Sequence, residues 1–151
     1  SFVAMTEDPL AFQLFTEIGI IDQLAGTAFE RALPAGMTRA QFTVLHHLSR
    51  IAGAPQSPAR LADAIQVSRA TMTSTDGRLI QRQLVEVLPD PADGRGKLVQ
   101  LTADGRAMRE SCIAAVAPLL PLVDGVYARE ELLSLLAQLK RLRERLDQDR
   151  G

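Results

Sequence analysis

The residues with the most chemical content stand between Ser68 and Lys97. Ser68, Arg69, Ala70, Thr71, Thr73 and Ser74 crowd the start of a predicted helix, and Arg78 lies further along on another side. Small polar side chains with an arginine at a helix N-terminus suit entry into the major groove of duplex DNA. They leave room for close approach and supply donors to bases and phosphates. Asp93, Arg95 and Lys97 fall in the run Pro89-Asp90-Pro91-Ala92-Asp93-Gly94-Arg95-Gly96-Lys97, which is dense in turn formers and ends basic. An arginine at a narrow hairpin tip can enter the negative potential of a minor groove. A charged tip kept for solubility is the plain alternative, and only the helix pair in front of it argues otherwise.

Elements that can position these residues are readable on both sides. Ser57-Pro58 is a cap followed by proline at the first helical position, where the missing N–H costs nothing. Leu61, Ala62 and Ile65 give that helix one apolar face. Gln66-Val67 is a short connection, Ser68 caps a second helix, and Met72, Thr75 and Leu79 form its inner stripe. The period then changes. Val85, Val87 and Leu88 fit a strand, residues 89–97 a turn, Leu98, Val99 and Leu101 a returning strand, and Thr102 a further cap. Helix, turn, helix and a hairpin with a cationic tip make a winged helix-turn-helix pattern.

The stretch SRATMTSTDGRLIQRQLVEVLPDPADGRGKLVQLTADG resembles the DNA-binding core of the MarR family of bacterial transcription regulators. That family has a Ser-Arg-x-Thr-x-Thr helix start, an Arg-Leu later in the helix, and a wing of the form Asp-x-Arg-x-x-x-x-x-Leu-Thr-x-x-Gly. Asp93, Arg95, Leu101, Thr102 and Gly105 match the wing in register. Where the family tends to have glycine before the second Leu-Val, this chain has Gln83. The resemblance implies a mainly α fold with a small β-hairpin wing, in which a winged helix-turn-helix core at 38–102 is flanked by dimerisation helices at 6–33 and 103–148 of a single 151-residue chain.

The flanks agree in outline. Thr6-Glu7-Asp8-Pro9 opens a helix with acids at its positive end. Leu10, Leu14, Ile18, Ile21, Leu24 and Ala28 continue it to Leu33, with Phe12, Phe15 and Phe29 adding bulk. This helix is apolar on more than one side, which fits either burial in its own core or packing on a partner subunit. Pro34-Ala35-Gly36 breaks the chain, and Thr38 with Gln41 predicts a capping box for a helix with Phe42, Leu45, Leu48 and Ile51 inward. Gly53-Ala54-Pro55-Gln56 reads as a loop. After Thr102 a helix runs to Ala117 with Met108, Cys112, Ala115 and Val116 inward. Pro118 and Pro121 predict a break between Ala117 and Val123, where the family usually continues one long helix. Leu132, Leu135, Leu136, Leu139, Leu142 and Leu146 make a near-heptad seam with charged flanks, a helix-association signal.

Composition bounds the rest. The 151 residues suffice for one domain, or a small domain with a dimerisation arm. Net charge is −1, so DNA binding must rest on placement rather than on the sum. Arg69, Arg78 and Arg82 outnumber the one acid between them, Asp76. A single cysteine excludes an intramolecular disulfide framework. No signal peptide is visible in Ser1 to Met5 and no apolar run can span a bilayer, so a cytoplasmic protein is expected.

Catalytic constellations are missing. There is no phosphate-binding glycine loop, no Gly-x-Ser-x-Gly elbow, and no metal cluster around the adjacent His46 and His47; no cofactor is expected. Cys112 reads as a small core hydrophobe. The expected function is a homodimeric regulator, a repressor, that binds a near-palindromic operator with helix 68–81 in the major groove and Arg95 toward a minor groove, Asp93 helping to hold it. The resemblance further implies release by a small aromatic or amphipathic acid in a crevice lined by Phe12, Phe15, His46, Arg50, Met108 and Cys112. The competing reading is a winged-helix protein-interaction module without a DNA role. The low net charge, Asp76, and Gly77 inside a helix speak for it.

Overall fold

The computed structural model describes residues 7–51 and 54–150; the expectations for Ser1 to Thr6 and for Gly53 lie outside them. The chain divides into two compact units, one ending at Val116 and the other starting at Ala117. The first holds α1 (Leu10–Ala32), α2 (Arg39–Arg50), α3 (Pro58–Ile65), α4 (Arg69–Gln81), the hairpin β1 (Val85–Asp90) and β2 (Asp93–Leu101), and α5 (Ala103–Val116). The mainly helical fold with a small wing is the one expected from the sequence.

Local chemistry starts each helix. Thr38 Oγ1 accepts from Gln41 N at 3.1 Å ahead of α2. The reciprocal half of the expected capping box is not made, because the buried Gln41 Oε1 has no partner. Ser57 Oγ accepts from Arg60 N at 3.2 Å, with Pro58 at the first position of α3. Gln66 closes α3 in the left-handed region at φ 57°, which turns the chain sharply into α4. Val44, Leu45 and Leu48 of α2 form the centre of the core with Leu61, Met72, Leu79, Val99 and Cys112, all essentially inaccessible.

The wing is more regular than expected. Residues 89–97 are mostly strand, and only Pro91 and Ala92 connect β1 to β2. Val85 pairs with Leu101 and Leu88 with Leu98, and the register shifts between Pro89 and Asp90. Proline is tolerated because each strand of a two-stranded sheet is an edge. At the shift, a side chain on Gly96 would come within 3.0 Å of Asp90 Cβ, so the glycine lets the strands stay close. The expected loop before α3 also contributes: Gln56 exchanges backbone hydrogen bonds with Val99, at 3.0 and 2.7 Å, and ties the start of the helix pair to the wing.

The turn from α4 into β1 interlocks with the start of α5. Gln83 sits at φ 59°, a conformation glycine adopts without cost. Thr102 Oγ1 donates to Gln83 O at 2.7 Å and accepts from Gly105 N at 3.0 Å, while Thr102 N donates to Leu84 O at 3.2 Å. Gly105 lies flat against that same Leu84 carbonyl.

Only the C-terminal part of α1 joins the core, through Phe29, Ala32 and the following Leu33. Leu10, Phe12, Leu14, Phe15, Ile20, Ile21 and Leu24 are exposed, so the reading of α1 as a buried core helix does not hold within one chain. In the second unit the expected break is present. Ala117–Leu119 is a single 3-10 turn, α6 (Pro121–Asp124) starts on its proline, and α7 (Arg129–Asp149) follows. Ala128 N donates to Glu131 Oε1 at 3.0 Å at the head of α7. Leu132, Leu135 and Leu142 are half-buried, while Leu133, Leu136, Leu139 and Leu146 are exposed. Among the described residues no single helix is long and apolar enough to cross a membrane.

Candidate nucleic-acid interface

The α3–α4 pair presents the polar head of α4 outward. Ser68, Arg69, Ala70, Thr71, Thr73, Ser74 and Arg78 are all exposed, and Met72, Thr75 and Leu79 turn inward. Several of these hydroxyls are already engaged. Ser68 Oγ accepts from Thr71 N at 3.1 Å and donates to Thr71 Oγ1 at 2.9 Å. Thr73 Oγ1 donates to Arg69 O at 2.9 Å. The free cationic donors on the helix are therefore Arg69 and Arg78, which form no ion pair among the described residues. Arg82, part of the basic excess read from the sequence, is tied back instead: its Nη1 donates to Gly36 O at 3.1 Å.

Asp93, Arg95 and Lys97 stand exposed on the wing. Asp93 Oδ1 accepts from the backbone N of Arg95 at 3.1 Å, and Asp90 Oδ1 accepts from Ala92 N at 2.9 Å. Asp93 thus fixes the backbone beneath Arg95 and leaves the guanidinium unpaired. This hairpin tip presents a cation on a stiffened frame.

Asp76 is the surprise of α4. It does not face outward as an acid that would repel phosphate. It is 5% exposed, with neither carboxylate oxygen hydrogen-bonded, and burial pushes its pKa up to about 6. Gly77 is exposed, and a methyl group there would meet nothing within 4 Å, so it costs α4 only helix propensity. Two of the three observations that favoured a module without DNA lose their force.

The candidates for a ligand crevice spread over α1, α2 and α5, and α1 packs against both of the others. Phe12 and Phe15 are exposed, Arg50 is exposed, His46 and Met108 are half-buried, and Cys112 is fully buried. Phe42 and His46 stack with ring centroids 5.7 Å apart. Arg109 Nε donates to His46 Nδ1 at 3.3 Å and pairs with Glu110 at 2.6 Å. Burial, then Arg109, Arg50 and His47, hold His46 below the usual histidine range, so it is a neutral acceptor at pH 7. Arg109 went unnoticed in the sequence because its partner lies on another helix; its place beside the inward Met108 was the one available signal. Burial raises the Cys112 thiol, partly opposed by Arg82. Among the described residues no group of histidine, cysteine and carboxylate side chains could hold a metal ion.

Residues 35–96 match the MarR family. The chain is 33% identical over 113 residues to the HTH-type transcriptional repressor NicR of Pseudomonas putida, covering 75% of this chain and 70% of that protein. It is similar to the crystal structure of a MarR mutant from E. coli complexed with operator DNA, with a TM-score of 0.70 and 29% identity over 89% of this chain and 99% of that one. A structure of BpsR from Bordetella bronchiseptica, whose DNA binding is regulated by 6-hydroxynicotinic acid, superimposes with a TM-score of 0.71 and 28% identity over 87% of this chain and 98% of that one. With the exposed head of α4, the cationic wing and these similarities, the chain belongs to the MarR family of winged helix-turn-helix, DNA-binding transcriptional regulators, which are not enzymes.

Proposed function

We propose that two copies of this chain bind a near-palindromic operator and repress transcription, with α4 of each copy in the major groove and each wing toward the neighbouring minor groove. The observation that carries this reading is the set of unpaired, exposed cations Arg69, Arg78 and Arg95 on two elements joined through one core. Arg69 and Arg78 take bases or phosphates, Ser68, Ala70, Thr71, Thr73 and Ser74 set the close approach, and Arg95 with Lys97 enters the minor groove over the frame that Asp93 holds. Dimerisation uses the exposed apolar residues of α1 and the leucine seam of α7, surfaces that one chain leaves in water. NicR's description as a repressor supports the direction of control.

Arg95→Ala is expected to weaken operator binding by about 1–3 kcal/mol and to lower the salt slope by roughly one, with thermal stability unchanged. Fluorescence anisotropy over a salt series, with sedimentation to count protomers on the DNA, checks both. Unchanged affinity and slope would remove the wing from this reading, and one protomer per operator would remove the dimer.

The same reading includes a small aromatic or amphipathic acid as the releasing ligand, between α1, α2 and α5. Phe12, Phe15 and Met108 offer apolar surface, Cys112 backs the site from the core, and His46 and Arg50 offer a donor and a cation. Arg109 joins them through its contact with His46. Adding salicylate or 6-hydroxynicotinate to the protein–operator complex is expected to raise the operator Kd. An acid that binds free and DNA-bound protein equally would shift nothing.

A further inference from the structure

Gly26 is buried, although much of α1 around it stands in solvent. Arg39, the first residue of α2, lies over it: a Cβ on Gly26 would be 2.8 Å from Arg39 Cζ and 3.3 Å from Nε. The same guanidinium pairs with Asp22, one turn back on that face of α1. Among the described residues no other ion pair links α1 to another element. The first turn of α2 has no use of its own for a cation, because the positive end of the helix dipole lies there. Arg39 therefore acts across the two helices rather than along its own. The packed anchor of α1 is at its C-terminal end, at Phe29, Ala32 and the following Leu33, and the exposed apolar residues from Leu10 to Ile21 lie beyond the pair.

We propose that Arg39 is a positioning residue for operator binding: lying over Gly26 and paired with Asp22, it fixes the angle at which α1 leaves the DNA-binding core. The proposal rests on the reading that two copies, joined in part through α1, bind one operator. In such a dimer the partner holds the apolar half of α1, so a tilt of α1 against its own core becomes a displacement of α4. From Gly26 to Leu10 the helix is about 24 Å long, and a tilt of about 10° moves its far end by about 4 Å. Two copies contribute two such displacements. Recognition helices that must meet major grooves about 34 Å apart lose affinity to that slack. Packing at Phe29 and Leu33 pins one end of α1, and Arg39 supplies a second point of attachment. Glycine at 26 is what lets the guanidinium lie flat on the helix. The side chains of Arg39 and Asp22 are 45% and 61% exposed, so the pair biases the angle rather than locking it.

Gly26→Ala, Arg39→Gln and Asp22→Asn test it on the duplex that the wild-type protein selects from a random DNA pool, and on copies of that duplex with one base pair added or removed between the half-sites. Each variant should bind the selected duplex about tenfold more weakly, from about threefold for each protomer. Each should also discriminate against the altered spacings at least threefold less than wild type, an effect that a merely structural role would not produce. Gly26→Ala should keep or raise the Tm, because alanine favours the helix and only the flexible end of a side chain must yield. Adding Asp22→Asn to Gly26→Ala should cost little more, since the pair is already broken. Sedimentation should find every variant dimeric. Wild-type affinity and spacing discrimination in Gly26→Ala and Arg39→Gln would overturn the proposal, as would losses that follow a common fall in Tm. A wild-type protein that binds DNA as one protomer would overturn the operator reading itself, and this inference with it.

Discussion

Gly105→Ala is expected to destabilise the protein by about 3 kcal/mol, with a fall in Tm on the order of 10 °C. The added Cβ would lie 1.9 Å from the Leu84 carbonyl oxygen and 3.0 Å from Leu101 Cδ2. Side chains can move aside, but this carbonyl is held. It accepts from Thr102 N at 3.2 Å, and Thr102 also caps α5 by accepting from Gly105 N at 3.0 Å. Relief of the clash must therefore shift the α4–β1 turn or release the cap, and each adds to the steric cost. Urea denaturation of wild type and variant measures the effect. A loss below 1 kcal/mol would mean that this junction is softer than its hydrogen bonds imply.

Asp76 should make stability fall as pH rises. Its pKa is raised from 3.8 to about 6 in the folded state, because burial penalises the charged form. A folded pKa above the unfolded one means that the folded state holds the proton more tightly. The associated stability is fully present below about pH 3.8 and is lost as pH rises through 6. The shift sets a ceiling of about 3 kcal/mol, and local relaxation reduces it toward 1. Asp76→Leu removes the charge and places an apolar side chain at the same buried position. At pH 7.5 the variant is expected to be more stable by about 1–3 kcal/mol. The stability difference between the two proteins should shrink between pH 6 and 4, which separates Asp76 from the other carboxylates. A pH-independent difference would show that Asp76 does not titrate in this range.

Much of the candidate interface is legible in the sequence because its determinants are local. Ser57-Pro58 and Ser68 mark helix starts by chemistry that acts within three residues, and the hairpin strands alternate visibly. The spacing even held a signal that charge obscured. Asp76 is four residues after Met72 and three before Leu79, on the inner stripe by helical period, yet its carboxylate argued for solvent. The Gln83 departure also has a physical sense now: the turn needs a positive φ, and glutamine adopts it at a strain that glycine would avoid. Arg109 against His46, the Gln56–Val99 pairing and the Gly105 contact join residues far apart in the chain, and no local pattern encodes them.

The committed hydroxyls at the head of α4 bear on which bases this protein can select. A hydroxyl that has spent its hydrogen can meet a base edge only through a lone pair. Ser68 has given its hydrogen to Thr71, and Thr73 has given its own to the Arg69 carbonyl. In the major groove the complementary donors are the exocyclic amino groups of adenine and cytosine, while guanine and thymine present oxygens at the equivalent place. Arg69 and Arg78 have the opposite appetite, since a guanidinium fits the paired acceptors of guanine. With α4 in the major groove as proposed, those internal bonds would favour amino-bearing bases under Ser68 and Thr73 and guanines under the arginines, while Thr71, which only accepts from Ser68, keeps its own hydrogen to donate.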